Sequence, residues 1–425
     1  MRGGRMEIIM ENVRIGIFGL GRGGYYIDNI LANNGDVVAV CDSDEAKVKE
    51  AEKKLGSDVA KYSDFNKFIK HPMDAVFLAN CFHEHAEYAI RCLEKNIHVL
   101  SECCSNSTMA EGVRLVRAAE KSKAFYMLAE NYPFMIFNQE MKRVFEGGSL
   151  GKLMYAEGEY NHPCDPYDIK IMQELFLAEK HWRNFLPGSY YITHSLAPIM
   201  YATGALPVKV TAMPIFSPCP DDAPRLSHVG DKTAIVTCLN DDGSVFKVTG
   251  CASFGAHGNS YRICGTKGTI ENVRGTDGKI MLRYNAWEKP EGAEEVNFYM
   301  PEIHDKDEEL IKKAGHGGGD FFVMRHFLNA VRENKKPPFD VYFATTMASV
   351  AILAHRSILN GSIPYDIPDF RKEEDQKKYE NDNETPFWYT DGRAPTIPCC
   401  SKPDYKPGEK QYESYEKALK ELGLK

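Results

Sequence analysis

The chain has 425 residues, 52 lysines and arginines against 60 aspartates and glutamates, and a net charge of −8 at pH 7. That acidic balance, with no basic stripe, argues against nucleic acid as a partner. No apolar run reaches the ~18–20 residues of a spanning helix, and the start Met-Arg-Gly-Gly-Arg-Met-Glu lacks the apolar stretch of a signal peptide.

Met1–Met10 reads as an upstream extension, because the first apolar run begins only at Val13. Val13 to Phe18 is a buried strand; Gly19, Gly21 and Gly24 form G-x-G-x-x-G; Tyr25 to Asn33 opens a helix. In that strand-turn-helix setting Gly19 serves the tight turn, Gly21 the approach of backbone to a pyrophosphate, and Gly24 close helix packing. The helix N-terminus then turns unpaired N–H groups toward the phosphates. A second buried run, Val37 to Cys41, ends on Asp42, whose carboxylate can accept from both ribose hydroxyls. The acid repels a 2′-phosphate, and Ser43, Asp44 and Glu45 supply no arginine for one, so NAD is expected over NADP.

Helix Glu45 to Leu55, strand Asp74 to Ala79, helix Glu84 to Glu94, strand His98 to Ser101, helix Met109 to Ser122 and strand Ala124 to Ala129 follow. Their alternation predicts a parallel, doubly wound sheet, and residues 1–130 are expected to form an NAD-binding Rossmann domain. The pattern then changes. A helix from Phe137 to Glu146 leads into long strands at Lys152 to Tyr160, Val208 to Pro214, Thr233 to Leu239, Ser244 to Ser253, Tyr261 to Cys264 and Lys279 to Tyr284. Asn240-Asp-Asp-Gly243 is a hairpin signal between two of them. With helices at Asp320 to Asn334 and Tyr342 to Asn360, residues 131–366 are expected to form an α+β domain with a large, mainly antiparallel open sheet for substrate binding and oligomerisation. Residues 367–425 turn polar and proline-rich, suggesting an extended arm that packs on a neighbouring subunit or is partly disordered, with a short helix near Tyr412 to Leu422. The 12 cysteines are scattered without a CxxC pair, which fits reduced thiols in a cytoplasmic protein.

From about Val13 to about Phe370 this order of elements resembles the glucose-fructose oxidoreductase and inositol dehydrogenase (Gfo/Idh/MocA) superfamily. The resemblance is carried by Gly19-Leu-Gly-Arg-Gly-Gly24, Asp42, Ala79-Asn-Cys-Phe-His83, His98-Val-Leu-Ser-Glu102, Gly265-Thr-Lys-Gly268, Gly315-His-Gly-Gly-Gly-Asp320 and Pro364. It implies a cofactor set that adds Arg22, Asn80, His83, Glu102 and Asn131 to the glycines and Asp42, although His83, like His85, His181 and His257, is by default a structural histidine.

Two departures redirect the expectation. Ordinary dehydrogenases of the superfamily follow Glu102 with a lysine and a proline, where this chain has Cys103 and Cys104, and they place an aspartate where this chain has Tyr190, four residues before His194. The NAD-dependent glycoside hydrolases of the α-N-acetylgalactosaminidase type, which also lack the lysine, are more similar. Their pattern is matched by Glu130-Asn131, Tyr160-Asn-His162, Trp182-Arg183, Tyr191-Ile-Thr-His194 and His316-Gly-Gly318.

That branch implies a tightly bound, recycled NAD and a glycoside cleaved without an oxocarbenium ion. Oxidising a ring hydroxyl at C3 needs a base, His194 or Tyr191; the ketone acidifies the C2 hydrogen, the glycosidic oxygen is expelled, water adds, and the ketone is reduced again. Glu130, Tyr160, His162 and His316 complete the acid/base set, Arg183 and Trp182 are expected to hold substrate, and no metal is expected. No pair of carboxylates at a glycosidase separation can be identified. A sugar or polyol dehydrogenase is the alternative enzyme, and an NAD-binding sugar sensor the non-catalytic one. The expected partners are a small carbohydrate or glycoside and further copies of the chain, with no membrane.

Overall fold

The computed structural model describes residues 12–175 and 178–425; the proposed extension at Met1–Met10 lies outside the described residues. The first sheet holds β1 (Val13–Phe18), β2 (Gly35–Cys41), β3 (Ala60–Tyr62), β4 (Ala75–Leu78), β5 (His98–Ser101) and β6 (Tyr126–Leu128) in the order β3-β2-β1-β4-β5-β6. Every neighbouring pair is parallel. Ile15, Ile17, Val40, Val76, Phe77, Val99 and Leu100 are fully buried, as strands covered by helices on both faces require. The strand order reverses between β1 and β4, so the crevice for a ligand opens at their carboxyl ends, where the Gly19 turn and Asn80 stand.

The second sheet holds β7 (Leu153–Asn161), β8 (Pro207–Phe216), β9 (Asp231–Asn240), β10 (Val245–Ala252), β11 (Gly258–Gly265), β12 (Gly268–Asn272), β13 (Ile280–Tyr284), β14 (Val296–Tyr299) and β15 (Tyr365–Asp366). Their order is β14-β13-β12-β11-β7-β10-β9-β8-β15. Only β7 and β10 run parallel; the other pairs are antiparallel. The β9–β10 hairpin turns at Asn240–Gly243, with Gly243 at φ 84° and the Asn240 N–H donating to Ser244 O at 2.9 Å.

The helix Thr193–Thr203 has no counterpart among the expected elements. Its buried face includes Ser195, Leu196, Ala197, Pro198, Ile199, Met200 and Ala202, so no polar stripe marks its period, and Pro198 reads as a breaker in sequence. It lies across β7, β10 and β11 and packs against the helix Ile136–Glu146.

The final segment folds back on its own chain. Phe387 is fully buried, Thr390 donates to Glu84 Oε1 through N–H and O–H at 2.9 and 2.7 Å, and Tyr389 donates to Glu111 at 3.1 Å. Arg356 holds Asp382 through two bonds of 2.5 Å. These bonds, made to both domains, order the arm against its own chain in place of the disorder that was one of the two expectations for it.

Gly158 on β7 marks the closest approach of sheet and helix: a Cβ there would stand 1.9 Å from the Ser195 carbonyl oxygen. Gly158→Ala is expected to lower stability by about 1–3 kcal/mol or more through overpacking. Urea unfolding checks this, and an unchanged midpoint would contradict the packing.

Candidate active site

Gly19 follows β1 with φ 91°, and a Cβ on it would stand 2.4 Å from Ala79 O. It therefore serves both a left-handed turn and a close backbone crossing. The close helix packing expected of Gly24 belongs to Gly23: a Cβ there would meet Ile17 Cγ2 at 2.6 Å, whereas Gly24 has nothing within 4 Å. Gly21 has only Lys47 Nζ at 3.8 Å, so backbone at this turn is open to a ligand. Asp42 is half-buried and accepts from the Leu20 N–H at 2.7 Å and the Asp44 N–H at 2.9 Å, which fixes its carboxylate at the mouth of the turn. Asn80 Oδ1 and Asn131 Oδ1 are buried without a hydrogen-bond partner among the described residues. An open glycine turn, a fixed acid after β2 and two waiting acceptors fit a dinucleotide.

Arg22 does not stand free at that turn. It donates to Glu102 Oε1 at 2.9 Å, lies 3.5 Å from Asp320 Oδ1, and reaches the Tyr26 hydroxyl at 3.2 Å. Asp320 also accepts from Tyr26 at 2.8 Å and Asn131 at 2.6 Å, and pairs with His316 Nδ1 at 3.0 Å. Burial pushes the Asp320 carboxyl up, but His316, Arg22 and Asn131 outweigh it and bring it from 3.8 down to about 2.

A second carboxylate-histidine pair also meets Tyr132. Glu130, one residue beyond Ala129 at the end of β6, is completely buried, and its Oε1 is 2.8 Å from His194 Nδ1. The Tyr132 N–H and the Cys103 thiol also donate to it, at 3.2 Å each. Burial again pushes the carboxyl up; the His194 ring and the Cys103 and Thr193 donors more than reverse this and hold it below the usual range. Burial, with Glu130 and Glu102 nearby, drives the Cys103 thiol well above its ordinary value, so it acts as a neutral donor. Tyr190, at the expected aspartate position, is buried against Phe387 and His355 at 5.4 and 5.9 Å, and Glu130 supplies the carboxylate instead.

The His194 ring is stacked on Tyr132 at 4.1 Å and meets Tyr160 and Tyr191 edge-on at 5.0 and 5.1 Å. With Nδ1 engaged by Glu130, Nε2 is the ring atom left for a substrate proton. Beside it opens a crevice of about 250 Å³ lined in part by Tyr160, His162, Arg183, Tyr191, Arg225 and Lys232. Burial raises the Tyr160 phenol to about 12 and the Tyr191 phenol well above its usual value, so both carry their protons at neutral pH. Burial first, then His257, His194 and Arg183, lowers His162, which keeps its imidazole neutral.

Three expected residues lie elsewhere. His83 is buried against Phe387 and Tyr389 at 5.2 and 4.8 Å, so the final segment, and not a cofactor, covers it. Trp182 stacks on Phe82 at 5.2 Å and carries the Arg183 guanidinium 4.4 Å above its ring, bracing Arg183 without lining the crevice. His316 is brought to Asp320 and Tyr132 rather than to the crevice wall. Tyr132, Cys103, Asp320, Arg225 and Lys232 were not expected as site residues. Of these only Asp320 has a local signal, its i,i+4 spacing from His316. Among the described residues no three His, Cys, Asp or Glu side chains are grouped to hold a metal.

The family model for the C-terminal domain of glycosyl hydrolase 109 matches residues 229–377, and that of the oxidoreductase family with an NAD-binding Rossmann fold matches residues 13–130. A glycosyl hydrolase family 109 protein of Saccharopolyspora erythraea is 24% identical over 396 residues, covering 85% of this chain and 84% of the relative. One from Bacteroides thetaiotaomicron is 25% identical over 407 residues, covering 85% of each. Among solved structures, a levoglucosan dehydrogenase in complex with NADH superposes with a TM-score of 0.70 at 18% identity, covering 84% of this chain and 100% of that one. An Agrobacterium radiobacter oxidoreductase in complex with NAD+, L-tartaric acid and magnesium gives 0.67 at 15%, covering 84% and 98%. The first domain is thus an NAD-binding Rossmann domain, in an enzyme of the oxidoreductase type these models describe.

Because the Asp320 carboxyl is lowered in the folded state, its stabilising contribution is complete above the ordinary value of 3.8 and is lost as pH falls toward about 2. Urea midpoints of the wild type are expected to drop through this window, and those of Asp320→Asn to start lower and drop less. Equal slopes for the two proteins would contradict the paired state of Asp320.

Proposed function

The chain belongs to the Gfo/Idh/MocA oxidoreductase superfamily, in its glycosyl hydrolase 109 branch, and from that premise we propose that it is an NAD-dependent glycosidase working by transient oxidation of the sugar at C3. The Glu130–His194 pair, at 2.8 Å beside a crevice with two protonated tyrosines and a neutral histidine, carries this reading. Such a set serves several proton transfers around one ring, whereas one-step oxidation asks for a single base. Gly19, Gly21, Gly24, Asp42, Asn80 and Asn131 hold the cofactor, with Arg22 and Glu102 fixing each other across the turn. NAD, when bound there, would supply the hydride acceptor for oxidation at C3 and the donor for the final reduction.

His194 accepts the proton of the C3 hydroxyl through Nε2, and the buried Glu130 carboxylate stabilises the imidazolium that results. His162, held neutral, accepts the C2 proton made acidic by the C3 ketone. The C1–O bond then breaks with formation of a C1–C2 double bond, and Tyr191 or Tyr160 donates a proton to the departing oxygen. Water adds its hydroxyl to C1 while C2 regains a proton. His316, paired with Asp320 across Tyr132, relays protons on the first-domain side. Arg183, backed by Trp182, holds a substrate oxygen. We place the enzyme in the cytoplasm, in accord with its twelve free cysteines, and assign it a homo-oligomer through the second sheet, whose strands expose Met154, Met213 and Phe298.

A second reading, a sugar or polyol dehydrogenase that releases NADH, is favoured by the names of the structural neighbours, levoglucosan dehydrogenase among them. Cys103 in the lysine position speaks against it, because a neutral thiol cannot relay a proton as an amine does.

Incubation with aryl glycosides in deuterated water separates the two. Aglycone release with deuterium at C2 and no net NADH is expected; stoichiometric NADH from free sugar without release overturns the glycosidase reading. His194→Ala and Tyr191→Phe are each expected to lower turnover by roughly 10²- to 10⁴-fold while NAD stays bound, and full activity in both would remove their assigned roles.

A further inference from the structure

The chain carries a net charge of −8, yet the side chains around its crevice have the opposite sign. Arg183, Arg225 and Lys232 line it, and the one carboxylate among the lining residues is Asp231. Both Asp231 oxygens accept from Ser401, one from its N–H at 2.7 Å and one from its hydroxyl at 2.6 Å. Among the described residues neither Arg183 nor Lys232 has a carboxylate within salt-bridge distance. The contacts of Arg183 are its N–H on His181 Nδ1 at 3.4 Å and its guanidinium over Trp182. Trp182 is itself stacked on Phe82 with 13° between the planes, so the ring under the Arg183 guanidinium is fixed in place.

Cations gathered in a partly desolvated crevice repel one another, and a neutral sugar leaves that repulsion in place. An oxyanion relieves it, and the planar fork of an arginine matches a carboxylate or sulfate through two parallel hydrogen bonds. We propose that this crevice selects a glycoside bearing an oxyanion, a uronate carboxylate or a sulfate ester, with Arg183 and Lys232 as the selecting residues. The assignment rests on the reading of the crevice as the sugar site of the proposed glycosidase.

The test uses the NAD-loaded protein and matched nitrophenyl glycosides of gluco and galacto configuration in both anomers, each as neutral hexoside, uronide and 6-sulfate. Free hexoses, hexuronates and hexose 6-sulfates are titrated by calorimetry in parallel. An anionic member is expected to exceed its neutral partner by about tenfold or more, the size of a charge-assisted hydrogen bond. That ratio is expected to fall about tenfold in Arg183→Gln and to shrink with added salt, with NAD binding retained as the check on folding. The uronide and sulfate arms identify which oxyanion is taken. Anionic preference in binding without aglycone release leaves the selection standing and removes the glycosidase reading. Release with C2 exchange from neutral glycosides, equal to or faster than from anionic ones, does the reverse. Absence of any anionic preference in binding, including no binding at all, overturns the proposal.

Discussion

A carboxylate with no exposure to water has to be paired or to give up its charge, and Glu130 is such a carboxylate. It belongs to the end of the first sheet, and its main partner, His194, belongs to the buried helix Thr193–Thr203 of the second domain. The pair therefore ties the cofactor domain to the helix whose His194 meets Tyr160 and Tyr191 of the crevice wall. The third partner explains a substitution that otherwise looks like a loss. A lysine at position 103 would set a cation against the same buried acid and compete with His194 for it, whereas the Cys103 thiol donates a neutral hydrogen bond and leaves Glu130 paired with the imidazole.

Asp320 repeats the arrangement with His316, whose ring also meets Tyr132. It collects Tyr26 and Arg22 from the glycine turn, Asn131 from just beyond the first domain and His316 from four residues earlier in its own segment. Two buried acids thus bind the same two domains to each other, Glu130 through His194 and Asp320 through Tyr26 and Arg22, and the ring of Tyr132 lies within 4.1 Å of His194 and 5.7 Å of His316. Positions held by several hydrogen bonds apiece lose little entropy when a substrate is bound, which is the physical content of a preorganised site.

The elements with a clear period could be read without coordinates. β1 and β5 match their expected residues from end to end, and the hairpin at Asn240–Gly243 turns where its Asn and Gly direct. The short strands β3, β14 and β15 escaped notice, since two to four residues at a sheet edge hold too few apolar positions to show alternation. The helix Thr193–Thr203 escaped for the opposite reason, being apolar nearly all round. Within the glycine turn, spacing assigned the close contact to Gly24, and the backbone path moved it by one residue to Gly23, against Ile17.

By itself the sequence determined what depends on neighbours along the chain: a dinucleotide turn with its acid, two successive sheet types, and a set of residues able to move protons. The partners of those residues came only from tertiary structure. Glu130 and His194 are 64 residues apart, Tyr26 and Asp320 are 294, and Ser107 and Tyr389 are 282. No local spacing encodes such pairs, because the cost of an unpaired buried charge is felt only once folding has removed the water around it. The cationic lining of the crevice arose in the same way, from Arg183, Arg225 and Lys232, which are separate in sequence and meet only around one cavity.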